Sequence, residues 1–126
     1  MIFDTDILVW VERGNEKAIQ SIYDAAKPAI SVITYMELLQ GARSHADTKR
    51  IKDFVAEVGF QVFPLTENVG HRALIYIEEY SHSFGLRAED AIIAATAVEN
   101  GFMLVSGNRK HFKRIRELKF KPFKIA

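Results

Sequence analysis

Short apolar runs and longer amphipathic ones take turns along this chain, and the alternation predicts its elements. Met1 to Phe3 is apolar and stops at Asp4; Ile7-Leu8-Val9-Trp10 and then Ala18 to Ala26 at helical spacing follow, so the opening reads as strand, helix, helix. Pro28 to Ile33, rich in β-branched residues, predicts a second buried strand. Thr34 is placed to cap a helix from Tyr35 to Ala42, and Glu37 at its third position completes a capping box. A charged helix from about Ala46 to Val58 ends at Gly59, and Phe60 to Leu65 follows as a short strand whose Pro64 suits a sheet edge. Thr66 caps a helix over Glu67 to Ser83; Gly85 separates it from another over Glu89 to Glu99, which Asn100-Gly101 closes. Phe102 to Val105 is a further strand, and a short helix over Arg109 to Arg116 leads into Pro122-Phe123-Lys124-Ile125.

Strands separated by helices predict an α/β fold with a largely parallel central sheet and helices on both faces. With 126 residues, no repeat and no linker, the chain reads as a single domain over 1–126. Its 48% hydrophobic and 26% charged residues exclude a disordered chain. In sheets of this kind ligands bind beyond the carboxyl ends of the strands, which directs attention to the residues just after each one.

Asp4 and Asp6 follow the first strand, Glu37 follows the second, and Glu89-Asp90 opens the apolar helix Asp90 to Ala97. A carboxylate beside a core segment is costly unless a proton, hydrogen bonds or a cation offset it. Several meeting at one sheet edge suit a hard ion such as Mg²⁺ or Mn²⁺, which takes oxygen ligands, activates water and neutralises a phosphodiester transition state. Each acid also has a plainer reading: Asp4 as a helix cap, Glu37 as the capping-box partner of Thr34, Glu89 and Asp90 as complements to a helix dipole. Their coincidence at one edge is what favours a metal site.

The remaining composition narrows the chemistry. Without cysteine there is no disulfide or thiolate metal site, which fits a reducing cytoplasm, and no apolar run approaches the roughly 20 residues that span a bilayer. His45, His71, His82 and His111 lack paired metal-ligand spacing and read mostly as surface residues, while Ser31, Ser81, Ser83 and Ser106 lack a nucleophile-elbow context. The net charge of +1 gives no bulk polycation signal. One local basic excess stands out, Arg109, Lys110, Lys113, Arg114, Arg116, Lys119, Lys121 and Lys124. It follows directly on a strand end where a phosphate backbone would lie, and Arg109, Lys110 and Lys113 are its candidate nucleic-acid contacts.

Four segments in order, Ile2 to Leu8, Ser31 to Gly41, Asp90 to Ala97 and Leu104 to Phe112, resemble the successive motifs of PIN-domain ribonucleases, and more narrowly those of VapC toxins of type II toxin–antitoxin systems. The resemblance spans nearly the whole chain. It implies a PIN-like fold and a Mg²⁺- or Mn²⁺-dependent endoribonuclease of RNA, held inactive by a VapB-like antitoxin and usually a homodimer. By position, Asp4, Glu37 and Asp90 match the core metal-binding and catalytic acids, with Thr5 and Thr34 as orienting neighbours. Asp6 stands where the family commonly has Asn, which adds a carboxylate near the metal. Where the family often supplies a further acid, this chain has Asn108 and His111, and Asn108 is the candidate for a water-mediated metal contact.

Two rivals stay open on sequence alone. Asp4-Thr5-Asp6 after an apolar strand also resembles the start of haloacid-dehalogenase phosphatases, although a downstream lysine and acidic pair are not evident. A non-catalytic module that docks RNA or a partner is the other. For partner binding, an exposed apolar patch on the early helices including Trp10, Val11 and Ile22 is expected, with plain core as the competing fate of Trp10.

Overall fold

A computed structural model describes residues 1–125. Among these, five strands form one parallel sheet in the order β3-β2-β1-β4-β5: β1 (Ile2–Phe3), β2 (Ala29–Ser31), β3 (Gln61–Phe63), β4 (Leu104–Ser106) and β5 (Phe120–Pro122). The connections are filled by α1 (Thr5–Glu12), α2 (Glu16–Asp24), α3 (Val32–Gln40), α4 (His45–Val58), α5 (Glu67–Phe84), α6 (Ala88–Asn100) and α7 (Arg109–Phe112).

Side chains alternate across a strand, and here both sheet faces are covered, so the central strands β1, β2 and β4 are buried throughout. Ile2, Ala29 and Leu104 point into a core with Val69, Tyr76, Ile93 and Phe112. Phe3, Ile30 and Val105 point into a second core with Ile7, Leu8, Ile22, Leu38, Ile51 and Val55. On α6 the residues Ala91, Ala94, Ala95 and Ala97 are buried, and their small side chains let this helix lie close against its neighbours. β3 is an edge strand, as its flanking proline suggests, and no described helix is long and apolar enough to cross a membrane.

Several boundaries differ from the sequence reading. β2 ends at Ser31, whose hydroxyl caps α3 by accepting from Ile33 N at 3.2 Å. Thr34 therefore lies buried inside α3, Glu37 sits in its second turn, and the expected Thr34–Glu37 capping box does not form. β4 starts at Leu104 because Phe102 N is taken by Ala97 O at 2.9 Å in the turn that closes α6. α7 stops at Phe112, and buried Ile115 and Leu118 carry the chain to β5, which the sequence reading passed over. Ile22 is only 1% exposed and Trp10 and Val11 are half-buried, so the expected apolar patch on the early helices is part of the second core.

Phe112 fixes α7 against the first core with no exposed surface. Phe112→Ala is expected to lower stability by about 3–5 kcal/mol, read as a shifted urea midpoint at unchanged slope.

Candidate active site

β1 delivers Asp4 to the carboxyl end of the sheet, where it also caps α1. Its Oδ1 accepts from Thr5 N at 2.8 Å, and its Oδ2 accepts from the buried Ser106 hydroxyl at the end of β4 at 2.7 Å. Capping and membership of the cluster are thus properties of one carboxylate. Asp6, in the first turn of α1, is held by Gly107 N, which donates to its Oδ2 at 2.9 Å. Its Oδ1 is buried and has no hydrogen-bond partner among the described residues. A Cβ on Gly107 would stand 2.8 Å from Asp6 Oδ2, so only glycine permits this approach.

Asp90 is the third residue of α6, where its Oδ2 accepts from Arg87 N at 3.4 Å and lies 2.8 Å from His111 Nδ1. Glu89 turns instead to Arg87, whose Nε is 3.1 Å from its Oε1. The Asn108 amide also lies 2.8 Å from His111 Nδ1, and Asn108 N donates to the Ser106 hydroxyl. Asn108 therefore engages the β4 end and the imidazole that meets Asp90.

Burial dominates the electrostatics of all three aspartates. Asp4 is pushed up to about 7, first by burial, then by the charge of Asp6, with a smaller push from Asp90, against the opposing bonds from Ser106 and Thr5. Asp6 is raised by burial and by Asp90, and Asp90 is raised by burial against the pull of His111.

Glu37 is linked to this cluster through Thr5, whose backbone N–H donates to Asp4. Thr5 Oγ1 is 2.7 Å from Glu37 Oε1 and 3.1 Å from the buried Thr34 hydroxyl. A carboxylate only accepts, so the single proton of Thr5 goes to Glu37 and Thr34 donates to Thr5. The two threonines thus form a hydroxyl chain that ends on Glu37, in place of a helix cap.

Among the described residues, no three acidic or imidazole side chains are close enough to form a ready-made metal site. The donors nevertheless fit a hard cation. They are all oxygens, Asp6 and Asp90 raise the proton affinity of Asp4 and Asp90 that of Asp6, and the orphaned Asp6 Oδ1 lacks the partner that a buried carboxylate oxygen requires. A bound divalent ion would offset both deficits.

Sequence reasoning found the acids and missed their holders. Ser106, Gly107 and His111 all fell inside the fourth motif, but Ser106 was weighed singly only as a nucleophile, Gly107 was given no role, and His111, though named beside Asn108 where the family has an acid, was read as mostly a surface residue with the exposed His45, His71 and His82. The usable signal was position: Ser106 ends β4 and Gly107 and His111 follow it, at the edge where the acids lie. These partners are also not the lysine and acidic pair that the phosphatase alternative needs.

The comparisons with known proteins bear on the family and the fold. The model of the PIN domain matches residues 1–118. Ribonuclease VapC1 of Rickettsia felis is 36% identical, with 94% of this chain and 92% of that protein covered. A solved toxin–antitoxin complex from Klebsiella pneumoniae contains a chain with a TM-score of 0.81 and 27% identity, covering 99% of this chain and 97% of that one. VapBC2 from Rickettsia felis, bound to a promoter DNA fragment, has a TM-score of 0.79 at 21% identity, covering 98% of this chain and all of its counterpart, a likeness of fold. With the five-stranded parallel sheet and the aspartates at its carboxyl end, these matches place the chain in the PIN-domain family.

Proposed function

We propose that this protein is a divalent-metal-dependent endoribonuclease and the toxin of a toxin–antitoxin pair. The observation that carries the reading is the cluster of Asp4, Asp6 and Asp90, three buried or half-buried carboxylates of raised proton affinity with one oxygen left unpartnered. Membership of the PIN family and the likeness to a ribonuclease support RNA as the substrate. The solved toxin–antitoxin complex supports an antitoxin as partner, and the VapBC complexes of like fold a VapB-like one; the cytoplasm is the compartment this reading implies. A homodimer is the expected assembly.

Asp4 and Asp90 would hold Mg²⁺ or Mn²⁺, with Asp6 Oδ1 as a further donor that the usual Asn would not supply as a charge. When bound, the ion supplies an activated water and neutralises charge at the scissile phosphate. Glu37, its Oε1 tied to Thr5, keeps Oε2 to take the proton of the attacking water. His111 is a positioning residue for Asp90, and Ser106 for Asp4.

Purified protein incubated with mixed cellular RNA, with and without Mn²⁺, tests the reading once the cut ends are mapped. Discrete ends that appear only with metal are expected. RNA bound but never cut would make the chain a binding module, and hydrolysis of a small phosphoester in place of RNA would favour a phosphatase.

Gly107 gives a separate check on Asp6. Gly107→Ala places a Cβ against Asp6 Oδ2 and displaces the carboxylate. It is expected to weaken Mn²⁺ binding by about tenfold, measured calorimetrically, the size seen when groups supporting metal ligands are disturbed.

A further inference from the structure

A cavity of about 240 Å³ opens between α1, α3 and α4, and two residues of the candidate site, Thr5 and Glu37, form part of its wall. It therefore borders the carboxylate assigned to take the proton of the attacking water. Val9 and the buried Leu38 and Ile51 give it apolar surface. Two charged groups of opposite sign line it as well. Arg50, on α4, has its Nη1 fixed by Asp47 Oδ1 at 2.9 Å, which leaves Nε and Nη2 to donate elsewhere. Asp47 is fully engaged, since its Oδ2 accepts from Arg43 N at 3.2 Å. Glu12, the last residue of α1, is exposed and has no ion-pair partner among the described residues.

We propose that this cavity is a specificity subsite for a guanine flanking the cut, with Arg50 on its O6 and N7 and Glu12 on its N1–H and N2 amine. The inference rests on the ribonuclease reading and deepens it by naming a base. Charge sorts the possible occupants: a phosphate would meet Glu12 and Glu37, and a lysine or arginine of another protein would meet Arg50. A neutral group with acceptors on one edge and donors on another satisfies both charges. The volume falls below the roughly 300–1,000 Å³ of pockets that take a whole small ligand, so the occupant is one group of a longer molecule. Guanine offers O6 and N7 to a guanidinium fork and N–H donors to a carboxylate, and an unstacked base can be read on both edges at once. Adenine reverses the pattern, with a donor at N6 and an acceptor at N1. Pyrimidines have no N7.

The test pairs atomic changes in the base with changes in the protein. Ends mapped after cleavage of mixed cellular RNA in Mn²⁺ should carry guanine at one fixed flanking position. In an oligoribonucleotide holding that site, the guanosine is then exchanged for inosine, which lacks the N2 amine, and for 7-deazaguanosine, which lacks N7. Each exchange should lower kcat/KM of the wild type roughly tenfold or more. Glu12→Ala should lose about as much on guanosine and be indifferent to inosine, whereas Arg50→Ala should be indifferent to 7-deazaguanosine. Both side chains are exposed, alanine suits a helix, and the Arg50–Asp47 pair contributes little at the surface, so both variants should melt as wild type does and keep its Mn²⁺ affinity. Wild type that cuts RNA without a guanine preference, or analogue penalties that persist in full in both variants, would overturn the subsite and leave the ribonuclease reading standing. A tetra-arginine peptide that binds wild type but not Glu12→Ala, with cutting indifferent to guanine, would assign the cavity to a protein side chain and overturn it too. Wild type that cuts no RNA would overturn both readings.

Discussion

Asp4→Asn, Glu37→Gln and Asp90→Asn are each expected to slow RNA cleavage by roughly a hundred- to a thousandfold at an unchanged circular dichroism spectrum. Each exchange removes one negative charge and almost no volume, so the packing of Asp4 against Ser106 and of Asp90 against His111 persists; at Asp4 and Asp90 the site loses charge that would hold an ion, and at Glu37 the carboxylate that would take the proton. The three losses should not add, because groups that act as one unit fail together; the triple variant should be little slower than the worst single one. A second measurement separates their roles. Asp4→Asn and Asp90→Asn should weaken Mn²⁺ binding in calorimetry, whereas Glu37→Gln, tied to Thr5 outside the three-aspartate group, should lower the rate with metal affinity within about threefold. Full activity in any two of the three variants contradicts the assignment.

The same charges make the metal-free protein less stable than it would otherwise be. Asp4 ionises near 7 in the folded chain and near its ordinary value of 3.8 when unfolded, with burial as the leading cause and Asp6 next. The folded state therefore holds this proton more tightly. In chelator, stability is greatest below about pH 4 as far as this group is concerned and falls as pH rises through about 7. The rise from 3.8 to about 7 corresponds to roughly 4 kcal/mol at most, a difference on the order of 10 °C in Tm for a domain of this size. Asp4→Asn removes the titration and keeps the cap, since Asn caps a helix about as well as Asp. The variant should melt higher than wild type in chelator at pH 7, lose that advantage near pH 4, and gain much less from added Mn²⁺. Wild type itself should gain about RT ln(1 + [L]/Kd), or roughly 2.7 kcal/mol at a hundredfold excess over Kd. Equal Mn²⁺ shifts in the two proteins would remove Asp4 from the site.

How much of this was legible in the sequence depends on what each residue answers to. Asp4 and Asp90 were readable because a carboxylate directly after an apolar strand, or opening an apolar helix, conflicts with its neighbours unless it has chemistry to do. The parallel sheet followed from strands separated by helices, and Pro64 marked β3 as an edge. The start of α3 was not readable. Val32 and Ile33 favour strand locally, but Ser31 caps the helix ahead of them, and the tertiary contact between Thr34 and Thr5 settles the register. β5 was missed because three residues ending in proline carry little pattern, and an edge position tolerates the missing N–H. His111 was misplaced for a related reason: its neighbours Lys110 and Lys113 look solvated, while buried Phe112 turns α7 so that the imidazole meets Asp90. Ile22 shows the converse, an apolar residue on an early helix that the second core had already claimed.

The central claim is that Asp4, Asp6 and Asp90 together hold the metal. Anomalous scattering at the manganese edge, from crystals of this protein soaked in Mn²⁺, tests it without relying on activity. A peak within about 2.2 Å of oxygens from Asp4 and Asp90, with Asp6 Oδ1 directed at the ion or at one of its waters, is the predicted result. Crystals that show manganese only elsewhere on the surface, from protein that still cuts RNA in the same Mn²⁺, would contradict it.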